Sequence, residues 1–168
     1  LNKADISRQG LTFLNPAEAT TNHRQSLYMS SVRDQAYFGG GALLDVGFAD
    51  SRGVLRDSPQ GNNLYEITPF GNRGNYFVDS DRHFYRQQWI ANLFLPARHL
   101  AGAHQLKFGV DLEREAFHQQ VMRHDYEVLR NDNSVARYVQ FVGAPFQARK
   151  NLEAAQYVED RWTPREGL

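Results

Sequence analysis

The 168-residue chain carries 19 basic residues, 19 acidic residues and no cysteine. Balanced charge gives neither nucleic acid nor anionic lipid an electrostatic hold, and the missing thiols exclude disulfides, thiolate catalysis and cysteine-ligated zinc. No charged-then-apolar leader is read at the start, and no apolar run approaches the roughly 18 residues of a membrane helix; strands with one polar side escape that test.

The first forty residues are the least patterned. "NPAEATTNH" reads as loop, "RQSLYMSS" as a strand, and "VRDQAYFGGG" as a turn or short helix feeding the next strand. In "ALLDVGFADSR" the period becomes two: Ala42, Leu44, Val46 and Phe48 oppose Leu43, Asp45, Gly47 and Ala49. A long polar connection is expected from about 49 to 82, holding "GNNLY" and "GNRGNYF", which set turn residues beside aromatics. "HFYRQQWIANLFLPA" follows, with Tyr85, Trp89, Ala91, Leu93 and Leu95 on one side and Gln87 their only polar companion. The other side mixes Phe84, Ile90 and Phe94 with Arg86, Gln88 and Asn92. The ten steps from Tyr85 to Leu95, at roughly 3.3 Å each and tilted about 40°, rise about 25 Å, the height of the apolar band on an outer-membrane barrel.

"RHLAGAH" reads as a short connection over 98–103, so that the segment before it and "HQLKFGVDLEREAF" after it form a hairpin. Leu106, Phe108, Val110 and Leu112 occupy one side of this second strand, against Lys107, Gly109, Asp111, Glu113 and Glu115. The same parity brings Arg114 to the aliphatic side, near the rim of a membrane band, where a charge costs about 0–1 kcal/mol rather than the roughly 2–4 kcal/mol of the midplane. A second long polar connection is expected from about 118 to 150, with turn signals at "NDNS" and "GAP" and room for a further hairpin. "NLEAAQYVEDRW" is the last strand, with Leu152, Ala154, Val158 and Trp162 sharing a side with Gln156 and Asp160, before a short turn over 163–167. A chain that opens on Leu and stops in such a turn is expected to be a piece of a longer one.

The pattern predicts an all-β fold: an antiparallel meander of long strands, forming part of a transmembrane β-barrel with long extracellular loops, because long and short connections alternate as they do in such barrels. Leu44, Val46, Phe48, Trp89, Leu93, Leu95, Leu106, Phe108, Val110 and Leu112 are the expected lipid-facing residues, and Arg86, Lys107, Asp111, Glu113 and Glu115 the expected lumen-facing ones. Arg86 is the expected partner of the carboxylates on the neighbouring strand.

"AHQLKFGVDLERE" followed by "QYVEDRW" resembles the wording of TonB-dependent outer-membrane receptors, especially those carrying a carboxypeptidase-regulatory-like domain. The residues that carry the resemblance are His104, Leu106, Lys107, Phe108, Gly109 and Asp111, then Tyr157, Asp160 and Trp162, with "DRHFYRQQWIANLFLP" like the descending strand before them. It implies that residues 1–168 are an internal segment of a barrel of about 22 strands, without the plug domain and with the barrel incomplete. It also implies an outer-membrane location and import of a bulky, scarce ligand: a siderophore, cobalamin or an oligosaccharide. The implied partners are outer-membrane lipid, the remaining barrel and plug, and the energy-coupling TonB complex reached through the absent N-terminal part.

Against this stand several other chemistries. Asp111, Glu113 and Glu115 evoke the carboxylate pair of glycosidases, but residues two apart on a strand point the same way into what would be a polar lumen, so no catalytic residue is assigned and no enzyme is expected. His118 and His124, beside Glu115 and Asp125, lack the converging ligands a metal needs; neither a metal nor another cofactor is expected. "GNRGNYF" lacks the lysine and helix of a phosphate-binding loop. Tyr76, Phe77, Phe84, Tyr85 and Trp162 are candidates for aromatic girdles at the membrane surfaces. The alternative reading is a soluble all-β carbohydrate-binding or hydrolase domain whose apolar faces meet across a sandwich.

Overall fold

The computed structural model describes residues 1–164; the end of the predicted 163–167 turn lies outside them. In chain order the elements are β1 (Asn2–Gln9), a 3-10 turn (Ala17–Ala19), β2 (Thr21–Phe38), β3 (Ala42–Pro59), β4 (Tyr65–Thr68), β5 (Gly71–Arg73), β6 (Val78–Phe94), β7 (Arg98–His99), β8 (Ala103–Arg123), β9 (Tyr126–Leu129), β10 (Val135–Val139) and β11 (Phe146–Thr163). The chain is all-β, and its main sheet is an antiparallel meander in the order β1-β2-β3-β6-β8-β11, with β7 on β8. Among the described residues β1 and β11 end this order, and the sheet does not close on itself. The two long connections build a second sheet, β10-β9-β4-β5, in which β4 and β9 run parallel, Tyr65 opposite Tyr126.

Three boundaries differ from the sequence reading. The segment "VRDQAYFGGG" is neither turn nor helix up to Phe38: β2 runs straight through it, and the chain reverses only at Gly39–Gly41, where Gly40 and Gly41 take φ of 87° and 85°, a region that favours glycine. β2 also begins at Thr21, inside the stretch read as loop. The long connections are shorter than expected, because β3 continues to Pro59, β6 starts at Val78, β8 continues to Arg123 and β11 starts at Phe146. The physical reason is common to all three. Strand pairing is made by the backbone and persists where both faces are polar, whereas the sequence reading followed apolar alternation, which fades before the ladder does. The further hairpin expected in the second connection is β9–β10, turning through "NDNS", with the amide of Arg130 donating to Ser134 O at 2.9 Å.

Packing divides the chain into two compact units. The first comprises Leu1–Tyr28, Arg52–Phe84 and Phe117–Arg149. Its interior is an aromatic cluster: Tyr65 meets Tyr76, Phe77 and Tyr126 at ring separations of 5.7, 5.5 and 6.3 Å, and Phe77 stacks on Phe141 at 5.7 Å. Asn75 locks the connection beside it, donating to Glu18 O and accepting from the Asn63 amide, both at 2.8 Å. Ala19, Tyr65 and Leu129, the buried apolar side chains among the described residues, all belong to this unit. Tyr76 and Phe77 are therefore half-buried members of the aromatic cluster beside the small sheet, and Phe84 lies over Gly53, where a Cβ would fall inside its ring. None of these three forms part of a girdle on the aliphatic face.

The second unit comprises Met29–Ser51, Tyr85–Ala116 and the described residues from Lys150. Its burial is inverted. The buried side chains here are Asp45 and Asp50, at 1% and 5% exposure, while Val46, Trp89, Phe108, Val110 and Leu112 stand between 38% and 44% exposed.

Candidate functional site

Because neighbouring side chains on a strand point to opposite faces, each strand of the second unit contributes alternate residues to an ionic face and an aliphatic one. On the ionic face Arg33 of β2 grips Asp45 of β3 with two parallel bonds, Nε to Oδ1 at 2.7 Å and Nη2 to Oδ2 at 2.6 Å. The two-pronged geometry satisfies both oxygens of a carboxylate that would otherwise be costly to bury. Further along, Arg86 of β6 makes the same fork to Glu113 of β8, at 2.8 and 2.7 Å, and approaches Glu115 at 3.9 Å. Between them Gln88 donates to both oxygens of Asp111, at 3.0 and 2.9 Å. The structure thus brings together Arg86, Asp111, Glu113 and Glu115 on one face, each beside a donor or carboxylate of the adjacent strand.

Lys107 belongs to the same face but to a different set of partners. Its Nζ lies 5.0 Å above the Tyr157 ring and 5.2 Å above that of Phe94. Tyr157 in turn donates to Asn92 Oδ1 at 2.6 Å and lies against Gly109, where a Cβ would sit within its ring. The glycine is what allows the aromatic to lie flat across β8. At the end of the strands nearest the 98–102 connection, His104 Nδ1 meets Asp160 Oδ2 at 2.7 Å and its Nε2 meets Leu100 O at 3.0 Å, while its ring stacks on Trp162 at 5.8 Å. Trp162 Nε1 donates to Ala101 O at 3.2 Å. The two stretches that carry the family resemblance therefore lie side by side, with Lys107 and Gly109 of β8 against Tyr157 of β11 on one face and His104 against Asp160 and Trp162 on the other.

The opposite face of this unit is largely hydrocarbon. Leu44, Val46 and Phe48 on β3, Trp89 and Leu93 on β6 with Leu95 just past its end, and Leu106, Phe108, Val110 and Leu112 on β8 share it, with Phe48 and Trp89 in ring contact at 5.4 Å. Its polar interruptions include Gln87, which donates at 3.0 Å to Asp50, a buried carboxylate of the same parity as Leu44, Val46 and Phe48. Arg114 is exposed on an unbroken β8. All eighteen residues of β11 are exposed, including Leu152, Val158 and Trp162 at 74%, 68% and 56%.

The first unit contains a second polar constellation, which the sequence reading missed. His23 Nδ1 meets Asp57 Oδ1 at 2.6 Å, and Ser80 Oγ donates to Asp57 Oδ2 at 3.2 Å. The aspartate sits between histidine and serine, so the serine has no base and these residues are not a nucleophilic triad. Its members lie on three strands, in stretches read as loop or strand end, and only the pairing of β2, β3 and β6 brings them together. Arg33 was missed for the same reason. Asp45 showed its parity but not its partner.

Among the described residues no group of three or more His, Asp or Glu side chains is arranged to hold a metal ion. His118 packs at 6.4 Å from the Phe146 ring, while His124 lends its backbone amide to Phe77 O at 2.8 Å. No family model, curated protein or solved structure matches the chain.

Proposed function

We propose that the chain is a segment of the wall of an outer-membrane transport barrel of the TonB-dependent receptor kind, which imports a bulky, scarce ligand. The observation that carries the reading is the inverted burial of the second unit, where Asp45 is enclosed on the ionic face while Val46, Phe108, Val110 and Leu112 on the opposite face are exposed. In water that arrangement forgoes the main driving force of folding. In a bilayer it is the favourable one, with hydrocarbon against hydrocarbon and charge against an aqueous pore. On this reading Leu44, Val46, Phe48, Trp89, Leu93, Leu95, Leu106, Phe108, Val110 and Leu112 meet lipid, and Arg86, Lys107, Asp111, Glu113 and Glu115 line the lumen.

Two further features support it. β2, β3, β6, β8 and β11 are 17 to 21 residues long, beyond the roughly 9–11 that a tilted strand needs to cross hydrocarbon. The two receptor-like stretches also lie on neighbouring strands, with His104 meeting Asp160 and Lys107 lying over Tyr157. The long connections are then extracellular loops, and the ligand class is that of the receptors: siderophore, cobalamin or oligosaccharide. Lipid, the remaining barrel and plug, and the energy-coupling complex are the partners.

The test is fractionation of the full-length protein. It should sediment with outer membranes, migrate faster on a denaturing gel before boiling than after, and show Trp fluorescence quenched by brominated lipid. Recovery of folded, monomeric protein in the soluble fraction, with Trp89 insensitive to lipid, would establish a water-soluble all-β domain instead.

A further inference from the structure

In the first unit the ionic face of the main sheet opens into a cavity of about 390 Å³, near the lower end of the roughly 300–1,000 Å³ usual for small-ligand sites. Gln9, Thr21, Asp57, Tyr76, Ser80 and Arg82 contribute to its lining. From these residues we infer that the cavity binds a neutral, polyhydroxylated ligand of the sugar class. The inference names the ligand of the proposed receptor and rests on that reading.

The lining is mixed in a specific way. Asp57 accepts, Arg82 donates, the Gln9 amide does both, and the hydroxyls of Ser80 and Thr21 do either. Asp57 already has two partners, His23 and Ser80, which fix its carboxylate in place. Arg82 is less satisfied: among the described residues its Nε has no hydrogen-bond partner and is shielded from solvent. A guanidinium in this state can be drawn toward the cavity by an incoming acceptor, gaining the bond it lacks. An anion attracted by Arg82 would also face Asp57, and a cation attracted by Asp57 would face Arg82. An apolar ligand would strip water from both without replacing its bonds. A sugar hydroxyl donates and accepts through one atom, so a row of them answers this alternation without adding charge, and Tyr76 supplies an aromatic ring beside them.

Saturation-transfer NMR on the full-length protein, with maltotriose, cellotriose and xylotriose as neutral probes and 3′-sialyllactose as the acidic one, tests the inference. At least one neutral trisaccharide should receive saturation. Its affinity should fall at least tenfold in Asp57→Asn, fall measurably in Gln9→Ala, and stay unchanged in Arg24→Gln, whose side chain pairs with Asp5 away from the cavity. Should Asp57→Asn lose its strand circular dichroism, Gln9→Ala, at the exposed end of β1, decides alone. Silence from all three neutral probes, tighter binding of sialyllactose, or affinity indifferent to the folded cavity variants overturns the inference. Fractionation is scored independently: soluble recovery overturns the receptor, whereas absent sugar binding by a membrane-embedded protein overturns only the ligand class.

Discussion

The two units bury opposite things. In the first, Tyr65 at 5% exposure anchors a cluster of Tyr76, Phe77, Tyr126 and Phe141, the usual solution for a structure that folds against water. In the second, Asp45 is enclosed by Arg33 while Val110 and Leu112 lie open. Both draw on the same long strands, but the apolar–polar alternation that marks the second unit fades in the first. What differs is which side chains are covered: aromatic rings in the first unit, the Asp45 carboxylate in the second.

The comparison can be broken most forcefully from the first unit. Tyr65→Ala should cost about 3–5 kcal/mol, the range of large aromatic truncations in cores, read as a lowered denaturation midpoint of the full-length protein. An effect below about 1 kcal/mol would show that the cluster is not a core. Next in size is Phe108→Arg in the second unit. If lipid covers that face, the substitution costs roughly 2–4 kcal/mol toward the midplane, measured by denaturant titration of protein folded into vesicles. If water covers it, the change stays within about 0.5 kcal/mol.

Gly109→Ala sharpens the comparison, because each unit contains a glycine under an aromatic ring: Gly109 beneath Tyr157, and Gly53 beneath Phe84. The added methyl must displace Tyr157 from Asn92 and Lys107, at a cost of about 1–3 kcal/mol. Tyr157→Ala in the same chain should recover part of that loss, which a double-mutant cycle reads directly. The smallest effect expected is in acid. The Phe141 amide and the Tyr138 hydroxyl, at 3.1 and 3.0 Å, hold the Asp125 carboxyl below its ordinary value of 3.8. A depressed carboxylate contributes stability that is present above its unfolded value and lost as pH falls through the folded one. Below about pH 4 the β9–β10 hairpin should therefore lose amide protection, and Tyr138→Phe should move that loss to higher pH. Protection independent of pH down to 2 would remove Asp125 as the cause.

Much of the second unit was legible from alternation. Leu106 through Leu112 and Asp111 through Glu115 declare two faces by parity, and a hairpin through "RHLAGAH" sets β6 beside β8, so the sequence alone matches Arg86 to the carboxylates. The first unit was not legible in the same way. His23, Asp57, Ser80 and Arg82 sit where both faces of the strands are polar, and alternation carries no signal there. The aromatic cluster draws Tyr65, Tyr76, Tyr126 and Phe141 from two connections separated in sequence, and nothing local says that β4 and β9 will pair in parallel.

The sequence by itself determined the strand class, the two-faced character of β3, β6 and β8, and the alternation of short and long connections, because each follows from side chains pointing alternately to either side of an extended backbone. Only the tertiary structure decided how far each strand continues, which residues enclose Asp45 and Asp57, and that the two long connections fold together around Tyr65. Those outcomes depend on backbone pairing and on contacts between residues far apart in the chain, which no periodicity encodes.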